Sequence, residues 1–161
     1  MEADLENSIL NDGGIIQLCF VTDNLDRTAD WLGGLLKVPA GPVRTLRPDP
    51  NALYKGKSGA FTCRIRFIEL GAMSIEIIEP GPEKSAWRDV LEARGPGFHH
   101  VGIKTRNLAK HRAYLEERGH ELIQIGGFDA GGGRYAYFNT MPQLGGLIEL
   151  LEFDDDKEPQ A

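Results

Sequence analysis

The chain makes nearly the same statement twice. One copy opens Ile15-Ile16-Gln17-Leu18-Cys19-Phe20-Val21-Thr22-Asp23-Asn24-Leu25, and a later one opens Phe98-His99-His100-Val101-Gly102-Ile103-Lys104-Thr105-Arg106-Asn107-Leu108. Setting Gln17 against His100 pairs Thr22 with Thr105, Asn24 with Asn107, Leu25 with Leu108, and Trp31-Leu32 with Tyr114-Leu115. The copies also close alike, with Ser74-Ile75-Glu76-Ile77-Ile78-Glu79 against Leu147-Ile148-Glu149-Leu150-Leu151-Glu152. Such repetition constrains architecture before any local propensity does, because each copy must build the same supersecondary unit.

Each copy reads strand, helix, then strands. The opening runs are apolar and rich in β-formers. In the first copy Leu25, Ala29, Leu32 and Leu36 recur at helical spacing, and Gly33-Gly34 weakens the end of that helix. In the second, Leu108, His111 or Arg112, and Leu115 do the same, and Gly119 stops the helix. Ala60–Leu70 and Ala72–Ile78 then form a hairpin about Gly71. The second copy offers strands at 122–125, 134–140 and 147–153. A short helix at 85–94 bridges the copies between Pro80-Gly81-Pro82 and Gly95-Pro96-Gly97. The expected organisation is an α+β protein of two βαβββ modules at 13–82 and 97–153. A bridge at 83–96 joins them and an acidic tail follows at 154–161. Residues 1–12 and the tail read as frayed ends.

Bulk properties agree with one compact unit. The chain has 161 residues, 41% hydrophobic and 26% charged, so a core is affordable. A formal net charge of -6 argues against a nucleic-acid partner. No apolar stretch approaches the roughly 20 residues of a membrane span, and the acidic start is not a signal pattern, so a cytoplasmic address is the default. Cys19 and Cys63 sit in apolar strand-like runs and read as reduced core thiols.

Alternate residues of a strand point to opposite faces. With Ile75 and Ile77, and Ile148 and Leu150, on the helix side, Glu76 and Glu149 point the other way. His100 and Gln17 take equivalent places in their strands. An unpaired buried carboxylate costs several kcal/mol or neutralises itself, so two of them need a partner, and a divalent cation is a natural one. A solvated strand face would explain any one of these residues. Four at equivalent repeat positions point to a metal. Weaker candidates are Arg64 and Arg66, which share a strand face able to meet an anion, and Tyr137. Gly131-Gly132-Gly133-Arg134-Tyr135 lacks the Lys-Ser/Thr of a phosphate loop and reads as a mobile strand connection at the rim. The segment 37–59, with Tyr54-Lys55-Gly56, reads as either a cover for substrate or a plain linker.

These residues carry a resemblance to the vicinal oxygen chelate superfamily (glyoxalase I, methylmalonyl-CoA epimerase, extradiol dioxygenases, and fosfomycin- and bleomycin-resistance proteins). It covers about residues 14–153. Its most specific pieces are Gly97-Phe98-His99-His100-Val101-Gly102-Ile103, similar to the epimerase branch, and Gly145-Gly146-Leu147-Ile148-Glu149-Leu150. The resemblance implies a shared cup-shaped sheet, a homodimer, and one divalent metal ion (Zn, Ni, Co, Mn or Fe) held by Gln17, Glu76, His100 and Glu149. His99 would face the helix. Gln, Glu, His, Glu in chain order is the ligand set of eukaryotic-type glyoxalase I. Gln17 departs from the His usual in epimerases, and no acid stands near Gly59 or Ala60, where the epimerases carry a second catalytic Glu. The activity implied is that of a lyase or isomerase on a small-molecule substrate. It transfers a proton next to a carbonyl through a metal-stabilised enediolate or enolate, with Glu149 or Glu76 as base. The alternative is a metal-free or metal-assisted small-molecule binding protein of the resistance type, whose drug-sequestering members lack the ligand carboxylates.

Overall fold

The computed structural model describes residues 8–47, 49–128 and 132–156. Residues 1–7 and 157–161 of the expected frayed ends, and Gly131 of the expected rim loop, lie outside them. Among the described residues the first repeat supplies β1 (Ile15–Val21), α1 (Leu25–Leu36), β2 (Arg44–Leu46), β3 (Leu53–Tyr54), β4 (Lys57–Ser58), β5 (Cys63–Glu69) and β6 (Ser74–Pro80). A bridging helix α2 (Ala86–Arg94) leads to β7 (Gly97–Thr105), α3 (Leu108–Glu117), β8 (Leu122–Gly127), β9 (Gly133–Phe138), the short α4 (Met141–Leu144) and β10 (Leu147–Phe153).

All ten strands join one curled sheet in the order β2-β5-β6-β1-β7-β10-β9-β8-β3-β4. Antiparallel β1 and β7 form its centre, each flanked by the parallel closing strand of its own repeat. The order reads almost the same from either edge, which is the repeat expressed as pseudo-two-fold symmetry. The exception is the β3–β4 hairpin. It leaves the first repeat, crosses the molecule and pairs with β8 of the second, Leu53 opposite Ile125. Lys55 and Gly56 at its turn have positive φ, the conformation a two-residue hairpin demands.

Each large helix lies on the convex face for the reason its sequence suggested. Asn24 caps α1 by accepting from the Arg27 N–H at 3.0 Å, and Asn107 caps α3 from the Lys110 N–H at 3.0 Å. Leu25 and Ala29 pack on Ile68 and Ile77, while Leu108 and Leu115 pack on Ile103, Ala136 and Leu150. Each leucine and isoleucine among them contributes about 1.5–3 kcal/mol when fully buried. Leu36 is 41% exposed, and Gly33 takes the buried position expected of it. A Cβ on Gly33 would come within 2.8 Å of the Val38 carbonyl, so glycine lets the chain fold back there. The helix runs past both glycines and ends at Lys37 in the left-handed region. In α3 the buried middle position is His111, not Arg112.

Residues 8–12 are not frayed. Ile9 and Leu10 pack on the second repeat's core. Asp12 accepts from the Thr105 hydroxyl at 3.2 Å and the Arg106 N–H at 2.8 Å. A third apolar cluster lines the concave side, and both cysteines sit in it buried and unbridged.

Candidate metal centre

Strict alternation along β1 and β7 fails at two places, and both failures shape the cup. Ile15 faces Ile103 while Gln17 faces Gly102, so Ile16 is an extra residue. Cys19 faces His100 while Phe20 faces Phe98, so His99 is another. Each is a β-bulge, and a bulge re-aims its side chain. Ile16 joins the concave cluster. His99 was expected to face the helix layer of its module. The bulge turns it instead toward α2, where its Nε2 lies 3.1 Å from the Ala86 carbonyl and its ring 5.4 Å from that of Tyr137.

At the floor of the cup Gln17, Glu76, His100 and Glu149 are all buried. His100 Nε2 lies 2.9 Å from Glu149 Oε2 and 3.5 Å from Glu76 Oε2. Apart from one another, these three atoms have no hydrogen-bond partner among the described residues and almost no contact with solvent. Burial pushes the Glu76 carboxyl up to about 7, and the charge of Glu149 adds to this. The charge on His100, with smaller help from the Cys19 thiol and the Gln17 amide, works against it. Burial alone would lower His100, but Glu149 and Glu76 outweigh it and hold the imidazole above its ordinary range. Two carboxylates therefore converge on one imidazole.

Three acceptor-type atoms facing one another need a cation between them, a proton or a metal. The donor set is one imidazole nitrogen with carboxylate and amide oxygens, which suits a divalent ion of borderline hardness. Cys19, His99 and His100 also offer ligand atoms within 4.8 Å of one another. That trio is the poorer fit. Burial, then the charge of Glu76, pushes the Cys19 thiol well up, so it stays protonated. Both ring nitrogens of His99 are engaged, at 2.7 Å to His100 Nδ1 and 3.1 Å to Ala86 O.

Above the floor opens a cavity of about 720 Å³. Gln17, Glu76 and Glu149 reach it from below, with Trp87, Phe128 and Tyr135 among its walls and Arg44 at its rim. Tyr137 lines it as expected and its hydroxyl accepts from Trp87 Nε1 at 3.0 Å. Arg64 and Arg66 do not line it. Arg66 opposes Ile77 and Arg64 opposes Glu79 across the β5–β6 hairpin, on the helix face. There Arg64 binds Asp26 and Glu79, at 2.8 and 3.1 Å, and Arg66 binds Asp30 at 2.8 Å. Those two arginines fasten α1 to the sheet. A second groove, of about 470 Å³, lies away from the four residues, between α3 and β8.

Of the segment 37–59, β2 borders the cavity and the hairpin does not enter it. Tyr54 and Lys55 at the hairpin's turn both bind Asp89 of α2. Sequence reasoning missed His99, Trp87 and Arg44. The Arg64 and Arg66 faces were open to counting, because a hairpin about Gly71 sets Arg66 against Ile77.

A sequence model of the glyoxalase/bleomycin resistance protein/dioxygenase superfamily matches residues 16–138. The uncharacterised YqjC of Bacillus subtilis (strain 168) is 28% identical over 94 residues, 58% of this chain and 67% of that protein. Among solved structures, methylmalonyl-CoA epimerase from Mycobacterium tuberculosis superposes with a TM-score of 0.64 at 19% identity. The match covers 99% of this chain and 94% of that one. A hypothetical protein from Bacillus halodurans C-125 gives 0.63 at 22% identity, covering 92% and 97%. A Streptomyces coelicolor methylmalonyl-CoA epimerase in complex with 2-nitronate-propionyl-CoA gives 0.65 at 18%, covering 91% and 99%. At these identities the likeness is one of fold.

Proposed function

This chain belongs to the glyoxalase/bleomycin resistance protein/dioxygenase superfamily, and we propose that it is a metal-dependent lyase or isomerase that moves a proton next to a substrate carbonyl. The observation that carries the proposal is the trio Glu76 Oε2, His100 Nε2 and Glu149 Oε2, buried, facing one another and with no other partner among the described residues. Gln17, Glu76, His100 and Glu149 would hold the ion. A divalent ion supplies Lewis-acid polarisation of a carbonyl oxygen, which acidifies the neighbouring C–H.

The protein's own part is the proton. An amide does not ionise usefully, so Gln17 is no base. His100 has one nitrogen turned to the floor and the other bonded to His99, so neither is free for substrate. The two carboxylates remain. Glu76 is braced by the Cys19 thiol and the Gln17 amide. Glu149, beneath the aromatic wall of the cavity, is the one assigned as base, taking the proton and returning it. Trp87, Phe128 and Tyr135 exclude water and favour an apolar or aromatic substrate body.

Metal content comes first in the test. Protein purified without chelator and loaded with Zn, Ni, Co or Mn should bind about one ion per chain by elemental analysis. A Glu76→Ala, Glu149→Ala double variant should lose it. The loaded protein is then screened against thioesters, hemithioacetals and hydroxyketones for solvent deuterium incorporation. No difference in metal between wild type and the double variant sinks the metal site. Metal without exchange on any such compound leaves a binding protein of the resistance type.

A further inference from the structure

We infer that His99 is a positioning residue, which locks His100 into the tautomer with its proton on Nδ1 and so aims the Nε2 lone pair at the cluster of carboxylates. The inference rests on His100 serving as a ligand, and it explains why two histidines stand together at the bulge.

The chain of hydrogen bonds has only one consistent direction. His99 Nε2 lies 3.1 Å from the Ala86 carbonyl, and a carbonyl only accepts, so Nε2 carries the hydrogen. His99 is completely buried. Its two nitrogens face a carbonyl and another imidazole, while the carboxylates stand beside His100, so the buried ring of His99 has nothing to balance a charge and is neutral. Its Nδ1 is therefore a bare lone pair. The 2.7 Å contact between the two Nδ1 atoms must then be donated by His100. With Nδ1 committed to His99, the proton that His100 gives up when it takes an ion is the one on Nε2, and the lone pair so freed faces Glu76 and Glu149.

The anchor of this relay is itself held. The Ala86 N–H donates to Gln124 Oε1 at 2.8 Å, and Gln124 Nε2 donates to the Tyr135 hydroxyl at 3.0 Å. The next residue, Trp87, donates to Tyr137. Reversing the relay would set the Ala86 carbonyl against a nitrogen lone pair in a dry site, an arrangement that costs about 1–3 kcal/mol per unmade bond. In the first repeat the matching ligand position holds Gln17, whose amide has no tautomers and needs no such partner.

The test uses protein labelled with ¹⁵N in histidine. NMR of the wild type, metal-free and Zn-loaded, should show a coupling across the hydrogen bond between the two Nδ1 atoms, with the proton on His100. Metal affinity is then measured by competition titration on wild type, His99→Phe and His99→Asn. Phe removes the acceptor while keeping bulk, and Asn offers Oδ1 near the place of Nδ1. His99→Phe should lose about 10- to 100-fold in affinity, the usual effect of removing a ligand's hydrogen-bond partner, and His99→Asn should recover most of it. A proton on His99 Nδ1 overturns the inference, as does wild-type affinity in a folded His99→Phe. If the wild type binds no metal, the reading of the centre fails, and the NMR result alone decides whether His99 sets the tautomer. Should His99→Phe not fold, the wild-type coupling and the His99→Asn titration still decide it.

Discussion

In the first half, Glu79 accepts the Leu25 N–H at the start of α1 at 2.7 Å and is gripped by Arg64. In the second, Glu152 accepts the Leu108 N–H at the start of α3 at 2.8 Å and is gripped by Arg134. On the convex side the two halves thus fasten a helix in the same way, down to the equivalent atom. On the concave side they part. Gln17 and Cys19 of one half stand where the other has His100 and Gly102, and only the second half pairs its ligand with a neighbouring histidine. The shared features belong to holding the fold. The divergent ones crowd around a few atoms of the cup floor, as expected where chemistry and not packing sets the residue.

The sharpest break of this comparison sets Glu149 against Glu76. Glu149→Gln keeps the shape and one oxygen donor but not the basicity. It should still bind metal, more weakly, and lose on the order of 10²-fold or more in exchange of a substrate α-proton, the scale of general base catalysis. Glu76→Gln should lose less. Deuterium exchange followed by NMR reads both, and equal near-wild-type rates would leave neither carboxylate as base.

A smaller effect should separate the two helix anchors. Glu152 has only 5% of its side chain exposed and Glu79 has 26%. Removing Glu152 strands the Leu108 N–H away from water, so Glu152→Ala should cost about 2 kcal/mol. Glu79→Ala, nearer solvent, should cost about half of that on the same scale. Urea denaturation of the two variants measures both, and equal losses would mean that burial does not distinguish the halves.

Gly102 and Cys19 are equivalent by symmetry, yet a Cβ on Gly102 would come within 3.0 Å of Gln17 Oε1 and 2.9 Å of its Cβ. Gly102→Ala should therefore displace Gln17 and weaken metal binding on the order of tenfold, as disturbed ligand support does. Competition titration checks this against unchanged metal binding.

The mildest prediction concerns pH. Glu76 titrates at about 7 in the fold and near 4.5 when unfolded, so the native state holds its proton between those values. His100, raised above 6.5, does the same from 6.5 upward. Both make folding take up protons, so stability falls as pH rises. His99, held neutral, acts oppositely but only below 6.5. From there to about pH 8 the metal-free protein should melt at progressively lower temperature, a slope that saturating zinc flattens or reverses by replacing the proton. Thermal melts across that range would show it, and a metal-free midpoint rising with pH would refute it.

The long strands, the helices α1 to α3 and the four polar residues of the floor were legible because period and repetition are written in the sequence. His99 was not, because alternation holds only between bulges, and the pairing of β1 with β7 decides where those fall. The direction of Arg64 and Arg66 needed their partners on α1, Asp26 and Asp30. The crossing of β3–β4 to β8 leaves no local mark beyond a turn at Lys55-Gly56. The anchoring of residues 8–12 depends on Asp12 finding Thr105 and Arg106 in the other half.

That crossing hairpin has a consequence for how copies of the chain behave toward one another. An open sheet offers its outermost backbone to any passing strand, and long apolar edges seed fibrils. Here the two outermost strands are only three and two residues long and carry Arg44 and Lys57. The six-residue β8, with Leu122, Ile123 and Ile125, would otherwise be an edge, and the hairpin covers part of it. Excising the hairpin would uncover the whole of β8 as an adhesive rim open to pairing with a strand of another copy.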